Sequence, residues 1–134
     1  TLIVGYNTTF QRSSDLGRQM NQVFVGIPFG ILRRKLKYLC EMNGIRYVEQ
    51  EESYTSMASF WDLDEMPVYG EAGLVPPVFS GRRICRGLYQ DRSGRRINAD
   101  VNGALNIMRK CNIVSLRALY DRGDVDTPVR IRIA

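Results

Sequence analysis

The sequence predicts an α/β fold: a parallel strand-helix-strand unit, then a long irregular insertion, then a C-terminal helix packed on the sheet. Three observations predict it. Leu2-Ile3-Val4-Gly5-Tyr6 is a short apolar run of the kind a buried central strand carries. Pro28 to Met42 has helical periodicity and leads at once, through Asn43-Gly44, into a second strand-like run, Ile45-Arg46-Tyr47-Val48-Glu49. Further on, Ile97, Val101, Ala104, Leu105 and Met108 recur at helical spacing and form another apolar face.

The opening strand has no cap or turn before it. A domain rarely begins on a central strand, so the chain is expected to be the C-terminal part of something longer. Asn7 to Gln22 is polar, carries Gly17, and is expected to be a loop or frayed helix. In the next helix Pro28 presets the first turn, and Phe29, Leu32, Leu36, Leu39 and Cys40 form its apolar face. Arg33, Arg34, Lys35 and Lys37 lie opposite as solvated cover, and Asn43-Gly44 is the stop. Two parallel strands joined by a helix make a right-handed crossover, and ligands of such sheets gather outside the carboxyl ends of the strands. The second strand ends in Glu51-Glu52.

Met57 to Ser80 mixes aromatic residues and prolines with Asp62, Asp64 and Glu65 and has neither period. It is expected to be structured, without regular elements, because a long loop rich in aromatic residues is seldom disordered. Gly81 to Arg96 reads as a basic loop feeding the last long helix, which ends near Lys110 or Cys111. Val114 to Tyr120 suits another helical turn or two. Val129, Ile131 and Ile133 alternate with Arg130 and Arg132 as in a short edge strand or an ordered extension.

At 134 residues, with 44% apolar and 10% aromatic content, the chain can bury one modest core. Its 19 Lys and Arg against 14 Asp and Glu give +5. The whole excess lies between Gly81 and Arg96, where Arg82, Arg83, Arg86, Arg92, Arg95 and Arg96 face the single carboxylate of Asp91. Such density favours a phosphate-rich partner, since each neutralised phosphate releases counterions; the plainer alternative is a solvated loop. Cys40, Cys85 and Cys111 form no Cys-x-x-Cys pair and there is no histidine, so reduced thiols and no zinc are expected. The lack of histidine also removes hydrolases that use a histidine base and leaves chemistry to carboxylates and metals. No run reaches membrane-spanning length and no signal peptide is present, so a cytoplasmic protein without membrane partner or small-molecule cofactor is expected.

Asp100 is the only carboxylate between Asp91 and Asp121, and it falls in the first turn of the last long helix. It serves there either as an acid favoured by the helix dipole or as a metal ligand. Nuclease chemistry with hard cations such as Mg²⁺ draws carboxylates from different elements, and Glu51 or Glu52 at the strand end are the other candidates. Adjacent residues of a strand face opposite sides, so one of these two points to solvent. Asn98, Asn102 and Asn106 recur every four residues along one helix face.

Asn98-Ala99-Asp100-Val101-Asn102-Gly103-Ala104-Leu105-Asn106-Ile107, after a basic glycine-containing loop, resembles the third catalytic motif of transposon-encoded OrfB/TnpB proteins, insertion-sequence relatives of type V CRISPR effectors. The likeness extends upstream through Glu51-Glu52-Ser53-Tyr54-Thr55-Ser56 and through Asn21-Gln22 to Ile27-Pro28-Phe29. It implies a partial RNase H-like (RuvC-type) fold, Mg²⁺-dependent DNA cleavage directed by a guide RNA, and Asp100 as the last acidic ligand. Tyr54-Thr55-Ser56 resembles the lead-in to that family's zinc-finger insertion, yet Ala58 and Trp61 stand where cysteines are expected. The family's middle glutamate lies on the strand that here reads Ile3-Val4-Gly5-Tyr6-Asn7, so Glu51 or Glu52 on the adjoining strand is the expected substitute, Glu52 preferred. The first aspartate of the family lies on an earlier strand.

These readings divide the chain into a partial RNase H-like sheet with its crossover helix (1–56), an irregular insertion with the basic loop (57–93), a final nuclease helix (94–119) and a tail (120–134). Three functions are open: a C-terminal fragment of an RNA-guided DNA endonuclease, inactive alone; a decayed nucleic-acid-binding module; and an unrelated structural domain.

Overall fold

Residues 1–7, 28–69 and 77–122 are described by the computed structural model, and the chain divides into two units, within 1–52 and 53–134. The expectations for the polar stretch after Asn7 and for the alternating tail at Val129, Ile131 and Ile133 lie outside the described residues.

In the first unit β1 (Leu2–Tyr6) pairs in parallel with β2 (Tyr47–Glu51), Leu2 opposite Tyr47 and Tyr6 opposite Glu51. A tight turn cannot close a parallel pair, and α1 (Phe29–Met42) lies in the connection. The Pro28 carbonyl accepts the N–H groups of Ile31 (2.8 Å) and Leu32 (3.0 Å), which starts the helix. Gly44, at φ +63°, turns the chain out of it, and the Ile45 N–H donates to the Cys40 carbonyl at 2.8 Å. That bond assigns Ile45 to the helix stop, so β2 begins two residues later than the sequence suggests.

Helical spacing sets Phe29, Arg33, Leu36 and Cys40 on one stripe, Cys40 buried and the others partly so. Charge alone puts Arg33 on the solvated face. Instead its Nη1 donates to Glu49 of β2 at 3.1 Å, and its guanidinium lies 5.5 Å from the ring centre of Tyr6 in β1. A long cationic side chain can cover apolar surface with its stem while its head stays polar, which is why charge misassigns it. Leu32 and Leu39, expected on the buried face, remain 47% and 52% exposed.

The second unit corrects the reading of Gly81 to Arg96 as a loop. β3 (Arg82–Cys85), β4 (Leu88–Gln90) and β5 (Arg96–Asn98) form an antiparallel sheet in that order, with a bulge between Arg83 and Cys85. The β4–β5 turn is tied by Asp91, whose Oδ1 accepts from the Ser93 hydroxyl (2.8 Å) and the Arg95 N–H (2.7 Å). Gly81 must lack a side chain, because a Cβ there would lie 2.6 Å from the Gln90 carbonyl and from the Tyr89 ring. α2 (Ala99–Cys111) follows β5 directly and packs on β4 and β5; α3 (Arg117–Arg122) comes after it.

Residues 53–69 have no regular element, yet Thr55, Ala58, Ser59 and Phe60 are buried. Buried backbone groups need partners, and α2 supplies them. Asn102 accepts the Phe60 N–H (3.1 Å) and donates to the Ala58 carbonyl (2.9 Å). Asn106 donates to the carbonyls of Thr55 (2.9 Å) and Ala58 (2.7 Å). Around this clamp Phe60, Tyr89, Ile97, Ala99, Leu105 and Leu116 form the core, with Phe60 stacked on Tyr120 at 4.7 Å. The Tyr89 hydroxyl donates to the Met57 carbonyl at 2.8 Å.

Asn106→Asp is expected to destabilise this unit by about 3 kcal/mol, since a carboxylate would face two carbonyls. Urea unfolding followed by Trp61 fluorescence measures it, and the loss should ease at acid pH, where the new carboxyl can donate. Burial, then the carboxylates of Asp64, Asp62 and Asp91, pushes the Tyr89 phenol up to about 12. The folded chain therefore keeps a proton that the unfolded chain releases near pH 10, and stability falls as pH rises from about 10 to 12. Tyr89→Phe should make that alkaline decline shallower in the same unfolding measurement.

Candidate carboxylate edge and nucleic-acid interface

β1 and β2 run in the same direction and end at the same edge. The Glu52 N–H donates to the Tyr6 carbonyl at 3.1 Å, extending the ladder one residue past Glu51. Alternation gives Glu51 the side of Glu49, which meets α1 through Arg33, and gives Glu52 the side of Gln50. Both glutamates are partly buried. Burial, and then the charge of Glu51, pushes the Glu52 carboxyl above its ordinary range. Gly5, where the resemblance expects a glutamate, lies opposite Gln50, one register step from Glu51.

Asp100 belongs to the second unit. Asn98 rather than Asp100 caps α2: its Oδ1 accepts the N–H groups of Asp100 (2.9 Å) and Val101 (3.2 Å). Asp100 is exposed in the first turn, where the helix dipole favours an anion, and among the described residues its carboxylate has no hydrogen-bond or ion-pair partner. Among the described residues no three His, Cys, Asp or Glu side chains group to hold a metal ion.

All six arginines singled out by charge are exposed, but the sheet sorts them. Arg82, Gln90 and Arg96 lie side by side across the three strands, on the face turned from the core. Arg83 shares the row of Tyr89 and Ile97, both buried, and so belongs to the inner face. Arg86 occupies the β3–β4 turn, and Arg92 and Arg95 the β4–β5 turn. The Arg92 N–H donates to Asp62 at 3.0 Å, and the Arg95 guanidinium lies 4.6 Å over Trp61. An outer row of cations can neutralise phosphates, and Gln90 between them, its amide nitrogen donating to the Gly94 carbonyl at 3.1 Å, can offer its amide oxygen to a base or sugar. Nothing in the sequence singles out Gln90, because only the pairing register sets it between Arg82 and Arg96.

The places where the resemblance expects cysteines are taken up by packing. Ala58 is fully buried and its carbonyl holds both asparagines, while Trp61 meets the Phe60 and Tyr120 rings edge-on at 5.2 and 5.8 Å. Cys40, Cys85 and Cys111 are free thiols. In the sequence Asn102 and Asn106 read only as a polar stripe; their four-residue spacing is the signal of a shared partner.

Over residues 29–107, more than half of its length, the chain matches the family described as Cas12f1-like, TNB domain. No curated protein and no solved structure matches it. Among the described residues no helix is long and apolar enough to cross a membrane. The match runs from α1 through Glu51-Glu52 and the arginine-bearing sheet into α2, and on that span the chain belongs to the Cas12f1-like, TNB domain family, related to the TnpB and Cas12 nucleases that work on nucleic acid.

Proposed function

We propose that the chain serves in a transposon-encoded, Mg²⁺-dependent, RNA-guided DNA endonuclease, with its carboxylates as part of the metal site. The observation that carries this reading is the position of Glu51 and Glu52 at the carboxyl edge of a parallel pair, within the span that matches the family. Glu52, with Glu51 beside it, and, in the second unit, Asp100 are each proposed as a metal ligand, as the resemblance implies. Their oxygen donors suit Mg²⁺, which binds through one or two carboxylates and keeps several waters. When bound, the cation would supply Lewis-acid polarisation of a phosphoryl oxygen. Glu52 contributes a carboxylate already short of solvent and repelled by Glu51, and Asp100 contributes one that its own helix cap leaves free. The exposed arginines would hold the phosphates of DNA or guide RNA, and a nucleoid-associated, cytoplasmic setting follows from such partners.

A second reading is a binding module whose nuclease site has decayed, and the outer row of Arg82, Gln90 and Arg96 favours it. It needs no complete metal site.

Asp100→Ala in the longer parent protein, assayed with its guide RNA and Mg²⁺, should lower cleavage about 10²-fold or more, and Glu52→Gln should do likewise. Unchanged cleavage in either variant removes that residue from the mechanism. Replacing Arg82, Arg83 and Arg86 with glutamine should flatten the dependence of log affinity on log salt by about 0.9 for each phosphate that is no longer neutralised. Filter binding across a salt series reads this directly, and an unaltered slope counts against the hairpin as the interface.

A further inference from the structure

Trp61 is the only tryptophan of the chain, and its ring is fixed on two sides by the edge-to-face contacts with Phe60 and Tyr120. Tyr120 is held in turn by its hydroxyl, which donates to the Phe60 carbonyl at 3.3 Å, and by its stacking on Phe60. Over this fixed indole lies the Arg95 guanidinium. Arg95 is anchored through its backbone N–H to Asp91, and its Nε lies 3.9 Å from the same carboxylate. Half of the Arg95 side-chain surface nevertheless stays open to solvent, while Asp91 is almost fully buried beneath it.

A guanidinium that only neutralised a phosphate would need no such support, because a flexible cation serves as well. A guanidinium centred 4.6 Å over an aromatic ring has one side engaged by that ring, and half of its side-chain surface is left to solvent; guanidinium planes stack on unpaired bases. Flanking charge complements that use. Arg92, in the same turn, and Arg96, the next residue in the chain, are exposed, so the phosphates flanking a stacked base would have cations within the same short stretch of chain. A duplex offers no base face between its stacked pairs, so the fit is to a single strand.

The geometry points to Arg95, seated on Trp61, as a stacking plate for an unpaired base of single-stranded nucleic acid, with Arg92 and Arg96 as its phosphate contacts. This rests on the proposed reading of the sheet as a nucleic-acid interface and names the form of nucleic acid it takes. Because the base would cover the cation above the only indole, Trp61 emission reports the event without a label.

The full chain is titrated with an oligothymidylate, with an abasic strand of equal length and charge, and with a hairpin duplex, recording Trp61 emission and affinity. The base-bearing strand is expected to change the emission and to bind about tenfold tighter than the abasic one. Arg95→Lys, which keeps the charge and loses the plane, should erase that tenfold preference, so that base-bearing and abasic strands bind alike. Equal affinity and equal emission change for the base-bearing and abasic strands overturns the stacking plate but leaves the phosphate interface standing. Binding to none of the three probes overturns the interface itself, and tighter binding of the duplex overturns the assignment to single strands. If Arg95→Lys fails to fold by circular dichroism, the comparison of base-bearing with abasic strand on the unaltered chain decides alone.

Discussion

The burial of residues 55–60 in the second unit depends on two side-chain amides. An irregular segment can be buried only if its N–H and C=O groups find partners, and residues 55–60 belong to no helix or sheet that would supply them. Asn102 and Asn106 project from α2 and supply one acceptor and three donor bonds to that segment. Once the Phe60 N–H is held, its ring enters the core against Tyr120, Trp61 follows at the rim, and the Arg95 guanidinium has a surface to lie on. Arg109 and Lys110 continue the pattern on the last turn of the helix, donating to the carbonyls of Asp64 and of Ser53 and Pro67. One helix thus serves as template for a segment whose own hydrogen bonds are confined to turns, such as those of the Met57 and Ala58 N–H groups to the Tyr54 carbonyl.

The first unit is built on a different principle. Its strands satisfy one another through the parallel ladder, and its helix is attached to β2 by a narrow stripe that includes an ion pair. The exposed pair of Arg33 and Glu49 contributes little stability by itself, on the order of 0–1 kcal/mol. What the ladder does provide is position. Two strands that end together set Glu51 and Glu52 on one edge, and no loop is needed to carry them.

How much of this is legible in the sequence differs from element to element. α1 is readable because Pro28 and Asn43-Gly44 are strong end signals, and α2 because Val101, Ala104, Leu105 and Met108 repeat at its period, although Ile97, counted with them, falls in β5 and Ala104 is exposed. The three-stranded sheet is not, since strands of three or four residues contain at most two inward positions and six arginines mask the alternation of Tyr89 and Ile97. The asparagine clamp is half visible: the spacing stands out, but its partners lie more than forty residues away and have no pattern of their own. The carboxylates of the candidate site are legible as residue types at element ends. The sorting of arginines between an outer row and a ring-supported plate is not, because it follows from register and from Trp61, and neither leaves a periodic trace.

Asn98 is both the last residue of β5 and the cap of α2, so no connecting residue separates the strand from the helix. A hinge requires at least a residue or two whose backbone can absorb rotation, and this junction has none. Arg96, on the outer face of the sheet, and Asp100, in the first turn of the helix, are therefore two points on one stiff lever.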